Sequence, residues 1–191
     1  ELAKRYPNLI VDNAQAFYAE PLDGIDTFYS ARKFFGLSDG AYLYTDNTLQ
    51  QEFEQDYSFN RMSHLLKRVD LGAEAGYQDF RVNDDALIGQ DIKIMSKLSD
   101  SILAGIDYES AKRTRRNNYM YLDKGLGSSN HIHFKLDETA APMVYPYLTN
   151  IEDLKMRLIS EKVFVATYWP NVFNWCDEEK LEYQMAKSIC Y

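Results

Sequence analysis

The sequence predicts an α/β fold, and three patterns support that prediction. A short apolar run, Leu9-Ile-Val-Asp12, ends in a carboxylate and is typical of a buried parallel strand. Two further runs, 25–30 and 41–45, are rich in β-branched and aromatic residues, as strands are. Later in the chain, apolar residues recur at helical spacing. Hydrophobic residues make up 46% of the 191 residues, which is enough material for a packed core.

The acidic composition argues against two classes of partner. The net charge is −8 at pH 7, whereas nonspecific binding to nucleic acid or to anionic membranes needs a basic surface. The basic run 112–116 is typical of the solvated face of a helix. Cys176 and Cys190 have neither metal-ligand spacing nor the pattern of a disulfide framework. With no signal peptide and no long apolar run, we expect a cytoplasmic protein.

Lys33 lies in the turn between the second and third predicted strands. That turn is too short to contain a crossover helix, so these two strands are expected to be antiparallel. A lysine held in a tight turn between buried strands loses water and becomes available for covalent chemistry with carbonyl groups.

The middle of the chain shows helical patterns of different quality. The expected helices are 46–57, 62–71, 83–98 and 99–122. The first is capped by Asp46 or Asn47, and the last by Ser99 or Asp100. Gly72 and the glycine at position 76 are expected to break the second.

The last third of the sequence predicts a small α+β module. Its expected strands are 131–134, 142–148 and 163–167. Two prolines in the second of these favour an edge position. The expected helices are 151–162, capped by Asn150, and a final one from Asp177 to Cys190.

Asp12 and Lys33 together suggest one chemistry. Pyridoxal phosphate (PLP) needs a lysine amine for its covalent link and a carboxylate beside the pyridine nitrogen, which keeps the ring able to accept electrons. The carboxyl ends of strands in an α/β sheet open into one crevice, where such groups would meet. Gln15 could reach a ring substituent, and Ser30 could donate to the phosphate.

The motifs around these residues resemble the DegT/DnrJ/StrS family of PLP-dependent aminotransferases. The resemblance is carried by Val11-Asp-Asn-Ala-Gln15, by Phe28-Tyr-Ser-Ala-Arg-Lys33, by Ser38-Asp-Gly-Ala41 and by Gly76-Tyr-Gln-Asp-Phe-Arg-Val-Asn-Asp84. It implies the aspartate-aminotransferase fold. Residues 1–98 would be the C-terminal part of a three-layer α/β/α large domain with its connecting helix, and residues 99–191 the small α+β domain. It also implies that this chain lacks the family's N-terminal half and extreme C-terminus, and that alone it would not transaminate.

The same resemblance implies roles for four residues. Lys33 would bond to the cofactor and carry protons, Asp12 would pair with the pyridine nitrogen, and Gln15 would lie near the ring hydroxyl. Ser30 would bind the phosphate, although the family's serine usually stands at the position of Phe28. The implied reaction moves an amino group from an amino acid, glutamate or glutamine, to a keto sugar that is linked to a nucleotide. The implied assembly is a homodimer.

Departures from the family pattern leave an alternative open. Asp79 stands where the family has an asparagine that reaches phosphate, and Ser38-Asp-Gly-Ala41 replaces Gly-Glu-Gly-Gly. Trp169-Pro-Asn171 lies where many members have a histidine. The departures around Asp79 and Ala41 leave open a catalytically inactive homologue that acts as a binding or regulatory protein.

Other motifs carry weaker hypotheses. Ser30-Ala-Arg-Lys33 matches the Ser-x-x-Lys of penicillin-recognising enzymes, but the companion motifs are missing. His131 and His133 would share one face of a strand, yet a metal needs three or four ligands, so no metal site is expected. A structural role is expected for His64.

Overall fold

The computed structural model describes residues 2–191, and contacts divide them into two compact units. The first unit ends at Tyr108, and the second covers Glu109–Tyr191. The domain boundary expected from the sequence lies earlier, between residues 98 and 99. The described residues form eight α-helices and one three-stranded sheet, which confirms a mixed α/β composition. Within the described part of the chain, no helix has both the length and the apolar character needed to cross a bilayer.

The elements follow one another in a simple order. The strands are β1 (Ile10–Asp12), β2 (Asp26–Ser30) and β3 (Ala41–Tyr44). The helices are α1 (Leu2–Arg5), α2 (Ser63–Leu71), α3 (Ala73–Leu87), α4 (Lys97–Ala104), α5 (Tyr108–Leu126), α6 (Leu154–Ser160), α7 (Val172–Trp175) and α8 (Leu181–Ser188). Short 3-10 helices cover Ala31–Lys33, Phe59–Arg61 and Gly127–Ser129.

The sheet has the order β1-β2-β3, contains the predicted antiparallel pair and gives β1 the parallel pairing expected of it. β1 runs parallel to β2, with Asp12 opposite Phe28, and β3 runs antiparallel to β2, with Ser30 opposite Ala41. The expectation that β1 is buried is wrong for this chain, because β1 is an edge strand whose Ile10 is 61% exposed. An edge strand pairs on one side only, so half of its surroundings are left open.

The core of the first unit lies between the loop after β2 and helix α4. Its fully buried members are Ala31, Leu37 and Leu103. Partly buried apolar residues pack around them: Phe17, Phe35, Tyr42, Met95, Ile102 and Ile106. The loop that carries Lys33 is therefore built into this core.

The helix expected at 46–57 is not formed. This segment instead pairs with a second non-helical segment near Ile94, through an isolated bridge between Gln55 and Ile94. The Ile94 amide donates to the carbonyl of Glu54, and the Asp56 amide donates to the carbonyl of Ile94. These tertiary bonds satisfy the backbone groups that a helix would otherwise have paired internally.

The helix expected at 83–98 is also wrong in its bounds. α3 ends at Leu87, and Gly89 then takes a positive φ of 71°, which interrupts a helix. The next helix, α4, is capped not by Ser99 or Asp100 but by Ser96, whose Oγ accepts the Ser99 amide at 3.1 Å.

Helix α2 lies in the predicted range, but one of its predicted breakers does not act. Gly72, with φ of 95°, ends α2 as expected. Gly76 lies inside α3 instead of breaking a helix. Its role is packing, because its missing side chain lets the backbones of α2 and α3 approach each other.

The three strands expected in the second unit are not formed, so the expectation of an α+β module is corrected there. Within residues 109–191 the β pairing is one isolated bridge, between Tyr147 and Cys190. Prolines at 142 and 146 remove ladder donors, and the Asn130 side chain accepts the amides of Ile132 and Leu148. The helices α6 and α8 lie within the predicted ranges but are shorter, and their predicted caps are wrong. Asp153 and not Asn150 precedes α6, and Lys180 and not Asp177 precedes α8.

Candidate functional site

Two of the four predicted site residues end adjacent strands of the sheet, and the other two lie in the segments that follow those strands. Asp12 is the last residue of β1, and Ser30 is the last residue of β2. Because these strands are parallel, their carboxyl ends meet at the same edge. Lys33 ends the 3-10 helix that follows β2, and Gln15 lies in the turn after β1. The carboxylate, hydroxyl and amine therefore emerge from neighbouring chain segments.

Asp12 has a structural task as well. Its Oδ1 accepts the amide of Ala14 at 2.8 Å, which closes a turn just after β1. The Asn13 amide donates to the carbonyl of Phe28 at 2.9 Å and extends the pairing with β2. Asp12 and Gln15 are both exposed. The turn thus holds the Asp12 side chain at the sheet edge while leaving it open to solvent.

Lys33 is exposed, although its neighbours are not. Ala31 is fully buried, and Phe34 is buried among the aromatic rings of Phe17 and Tyr18. The expectation that the turn strips Lys33 of water is therefore wrong for this chain. The reason is the short 3-10 helix, which turns successive side chains in different directions and buries Ala31 while Lys33 remains in solvent.

A buried polar cluster beside this loop was not foreseen. Asp39 is 8% exposed, and its Oδ2 accepts Arg61 Nε and Ser38 Oγ, both at 3.0 Å. Its Oδ1 accepts Ser99 Oγ at 2.6 Å. Ser58 Oγ donates to Ser96 Oγ at 2.6 Å. The cluster joins the loop after β2 to the 3-10 helix at Phe59–Arg61 and to the start of α4.

The environment of Asp39 favours its charged form. Burial acts to raise the pKa of this carboxyl, but hydrogen bonds from Ser99, Ser58 and Ser38 and the charge of Arg61 outweigh burial. The net result is a lowered pKa, so Asp39 is an anion that the protein holds in place. One signal could have revealed part of this cluster: Ser96-x-x-Ser99 has the spacing of a helix cap. No local pattern links it to Asp39.

Comparisons of the chain with protein-family models, with curated proteins and with solved structures found no match. The chemistry assigned to this site therefore rests on its own residues and on their motifs.

Asp79, which stands where the resemblance places an asparagine, is paired with a lysine. Its Oδ2 lies 2.8 Å from Lys67 Nζ, which connects α3 to α2. Hydrogen bonds from Lys67 and Ser63 lower the pKa of Asp79. The Lys67 ammonium offsets the negative charge that would otherwise repel a phosphate at this position.

The histidines show no metal constellation. Among residues 2–191, no group of three or more His, Cys, Asp or Glu side chains could hold a metal ion. His131 and His133 are exposed in an irregular segment and not on a strand. His64 is buried in α2 with its ring against Phe80, and its Nδ1 has no hydrogen-bond partner among the described residues.

The second unit contains a cleft that the sequence did not indicate. Its volume is about 290 Å³. Polar groups of Arg115, Asn118 and Tyr191 line it together with the apolar side chains of Leu122 and Met143. Burial raises the pKa of Tyr119, which also lines this cleft, so its phenol stays neutral.

Proposed function

We propose that this chain is part of a PLP-dependent aminotransferase of the DegT/DnrJ/StrS type. The single observation that supports the proposal most is that Asp12 and Ser30 end two adjacent parallel strands, with Lys33 three residues after Ser30. The substrates would be an amino acid donor, glutamate or glutamine, and a keto sugar linked to a nucleotide. The whole protein would be a cytoplasmic homodimer.

The donor set at this edge suits PLP chemically. Lys33 offers a solvent-accessible amine, Asp12 a carboxylate, Gln15 an amide and Ser30 a hydroxyl. An aldehyde needs the amine, a protonated pyridine nitrogen needs the carboxylate, and a phosphate needs hydrogen-bond donors. The carboxylate and the hydroxyl come from two adjacent parallel strands, and the amide and the amine come from the segments that follow those strands.

Each residue would have one task. When bound, PLP supplies an electron sink for the substrate carbon that loses its proton. Lys33 Nζ would move that proton as base and then as acid. Asp12 would hold a proton on the ring nitrogen, and Ser30 Oγ would donate to the phosphate. Gln15 would orient the cofactor by a hydrogen bond to the hydroxyl group of the ring.

Covalent labelling of the natural protein tests this proposal. The protein is incubated with PLP, reduced with borohydride and mapped by peptide mass spectrometry. We expect the pyridoxyl group on Lys33, and loss of that label in Lys33→Ala. Lys97 is a matched control, because it is also exposed and lies at the start of α4 in the same unit. Equal labelling of Lys33 and Lys97 would count against the proposal.

A second candidate is a homologue that has the fold but no catalysis. The Lys67–Asp79 ion pair favours this second candidate. The resemblance expects the side chain at position 79 to reach phosphate, but Asp79 instead pairs with Lys67 and links α2 to α3. In this case Lys33 would still take up PLP selectively, while amino donors would cause no spectral change and no keto acid would form. Asp79→Asn then tests whether the ion pair prevents turnover, with Asp85→Asn as the control.

A further inference from the structure

The loop between β2 and β3 presents Lys33 to solvent while apolar anchors hold the residues around it. Ala31, Phe34 and Leu37 are all buried, with exposed fractions of 6% or less. The base of the loop is closed where the Ala31 amide donates to the carbonyl of Gly40 at 3.2 Å. The backbone on both sides of Lys33 is thus anchored to the core.

Helix α3 holds this loop at two points. The side chain next to Lys33, Arg32, forms an ion pair with Asp84 at 2.7 Å. Near the end of the loop, the carbonyl of Ser38 accepts a hydrogen bond from Asn83 Nδ2 at 3.1 Å. Asn83 and Asp84 are adjacent in α3, so one helix end contacts both the beginning and the end of the loop.

Asp39 holds the far end of the loop. Its carboxylate binds Arg61 from one side and Ser99, the first-turn residue of α4, from the other. A buried carboxylate with charge-assisted and hydroxyl hydrogen bonds has a narrow range of positions. Arg61 is itself held by a second ion pair, with Asp56, so the anchor point is fixed independently of the loop.

We propose that Asp39 and Asp84 are positioning residues for Lys33: they clamp the two ends of its loop and hold its amine close to the carboxyl end of β2. Neither carboxylate touches the reacting groups. The chemical consequence of the clamp rests on the proposed function, whereas the clamp itself is a property of the loop and is measurable without cofactor.

Hydrogen exchange of the backbone amides in residues 31–40 tests the clamp. Asp84→Asn should speed exchange in this loop about threefold, in line with a half-exposed ion pair. Asp39→Asn should speed it about tenfold or more, since the lost contact is buried. Asp85→Asn is the control, because Asp85 is exposed on the same helix, and it should leave the exchange unchanged. Unchanged exchange in both test variants would overturn the proposal.

The second readout is the selectivity of PLP for Lys33 over Lys97, measured after borohydride reduction. Both test variants should reduce this ratio, and the charge-swapped double variant R32D/D84R should restore it while neither single swap does. If Asp39→Asn does not fold, Asp84→Asn and the double variant R32D/D84R still test whether the loop positions Lys33. A loosened loop with unchanged selectivity would overturn the positioning role. Equal labelling in the wild-type protein would reject the proposed function, and the exchange rates would still decide the clamp.

Discussion

The backbone of Gly76 in α3 lies directly against the carbonyl of His64 in α2. A Cβ atom placed on Gly76 would stand 2.5 Å from the His64 carbonyl oxygen, closer than side-chain carbons come to backbone oxygen. The Lys67–Asp79 ion pair joins the same two helices further along. The two helices therefore pack backbone to backbone at one point, and only glycine fits there.

We expect Gly76→Ala to destabilise the protein by about 2 kcal/mol, because α2 or α3 must shift to admit the methyl group. Urea denaturation monitored by circular dichroism measures this. Gly125→Ala is the matched control: Gly125 is helical in α5 with open space around it, so alanine should stabilise by about 0.5–1 kcal/mol. A gain in stability from both substitutions would show that the close approach does not constrain α2 and α3.

The lowered pKa of Asp39 predicts a loss of stability in acid. A carboxyl whose folded pKa lies below its unfolded value binds fewer protons when folded. Its contribution is complete above the unfolded pKa, about 4, and is lost as the pH falls through the lower folded pKa. Asp39→Asn should lower the free energy of unfolding by about 2 kcal/mol at pH 7. It should also make this free energy less dependent on pH between pH 5 and 2.

Denaturation curves across this pH range test the sign. Asp85→Asn, which removes one exposed carboxylate from the same unit, is the charge-matched control. If Asp39→Asn keeps the full wild-type slope in acid, the buried carboxylate is not a source of the pH dependence.

Lys162 lies two residues after the end of α6, in a left-handed backbone conformation that favours glycine. Its φ is 61°, its amide donates to Ile159, and the Val163 amide donates to Leu158 at 2.8 Å. These two bonds are the Schellman pattern of a helix end, whose left-handed residue is usually glycine. Lys162→Gly should therefore stabilise the second unit by about 1 kcal/mol.

The neighbouring residue provides the contrast for that measurement. Glu161 has a φ of −87°, so Glu161→Gly adds unfolded-state entropy without relieving strain and should destabilise by about 0.5–1 kcal/mol. Thermal unfolding of the two variants in parallel should give shifts of opposite sign, and shifts of the same sign would contradict the assignment.

Asn130 satisfies two irregular segments of the second unit at once. Its Oδ1 accepts the amides of Ile132 and Leu148, and its Nδ2 donates to the carbonyl of Pro146 at 2.9 Å. Because Asn130 is buried, Asn130→Ala leaves these groups unpaired, and we expect a loss of about 3 kcal/mol.

Asn150→Ala is a suitable comparison, since Asn150 is exposed. Its effect should stay within about 0.5 kcal/mol. Chemical denaturation monitored by circular dichroism measures the free energy of unfolding of both variants. Equal effects of the two substitutions would show that the Asn130 bonds add nothing to stability.

Predictions from the local sequence pattern succeeded where the same few residues decide both the secondary structure and the strand pairing. The link between the second and third strands is too short for the crossover that parallel strands need. Antiparallel pairing was therefore predicted, and β2 and β3 are antiparallel. The helix expected at 83–98 failed because apolar spacing continues across Gly89, whose positive φ ends any helix there. Two of the strands expected in the second unit, 131–134 and 142–148, are replaced by irregular chain in which Asn130 pairs the amides of Ile132 and Leu148.

The candidate site divides in the same way. Asp12, Gln15, Ser30 and Lys33 were identified from their motifs and their places at strand ends. The placement of Asp12 and Ser30 at the same end of the sheet follows from β1 being parallel to β2. The Asp39 cluster could not be found, because Arg61 and Ser99 reach it from distant parts of the chain. Whether the four residues serve a cofactor stays a prediction.

The positions of the three strands, the antiparallel direction of the second and third, and the motif-bearing turns were determined by the sequence alone, because hydrophobic periodicity and link length act over a few residues. Tertiary structure decided where helices end, which carboxylate is buried and how the Lys33 loop is held. Those outcomes depend on backbone groups finding partners far away in sequence, as Ile94 does with Glu54 and Asp39 with Arg61.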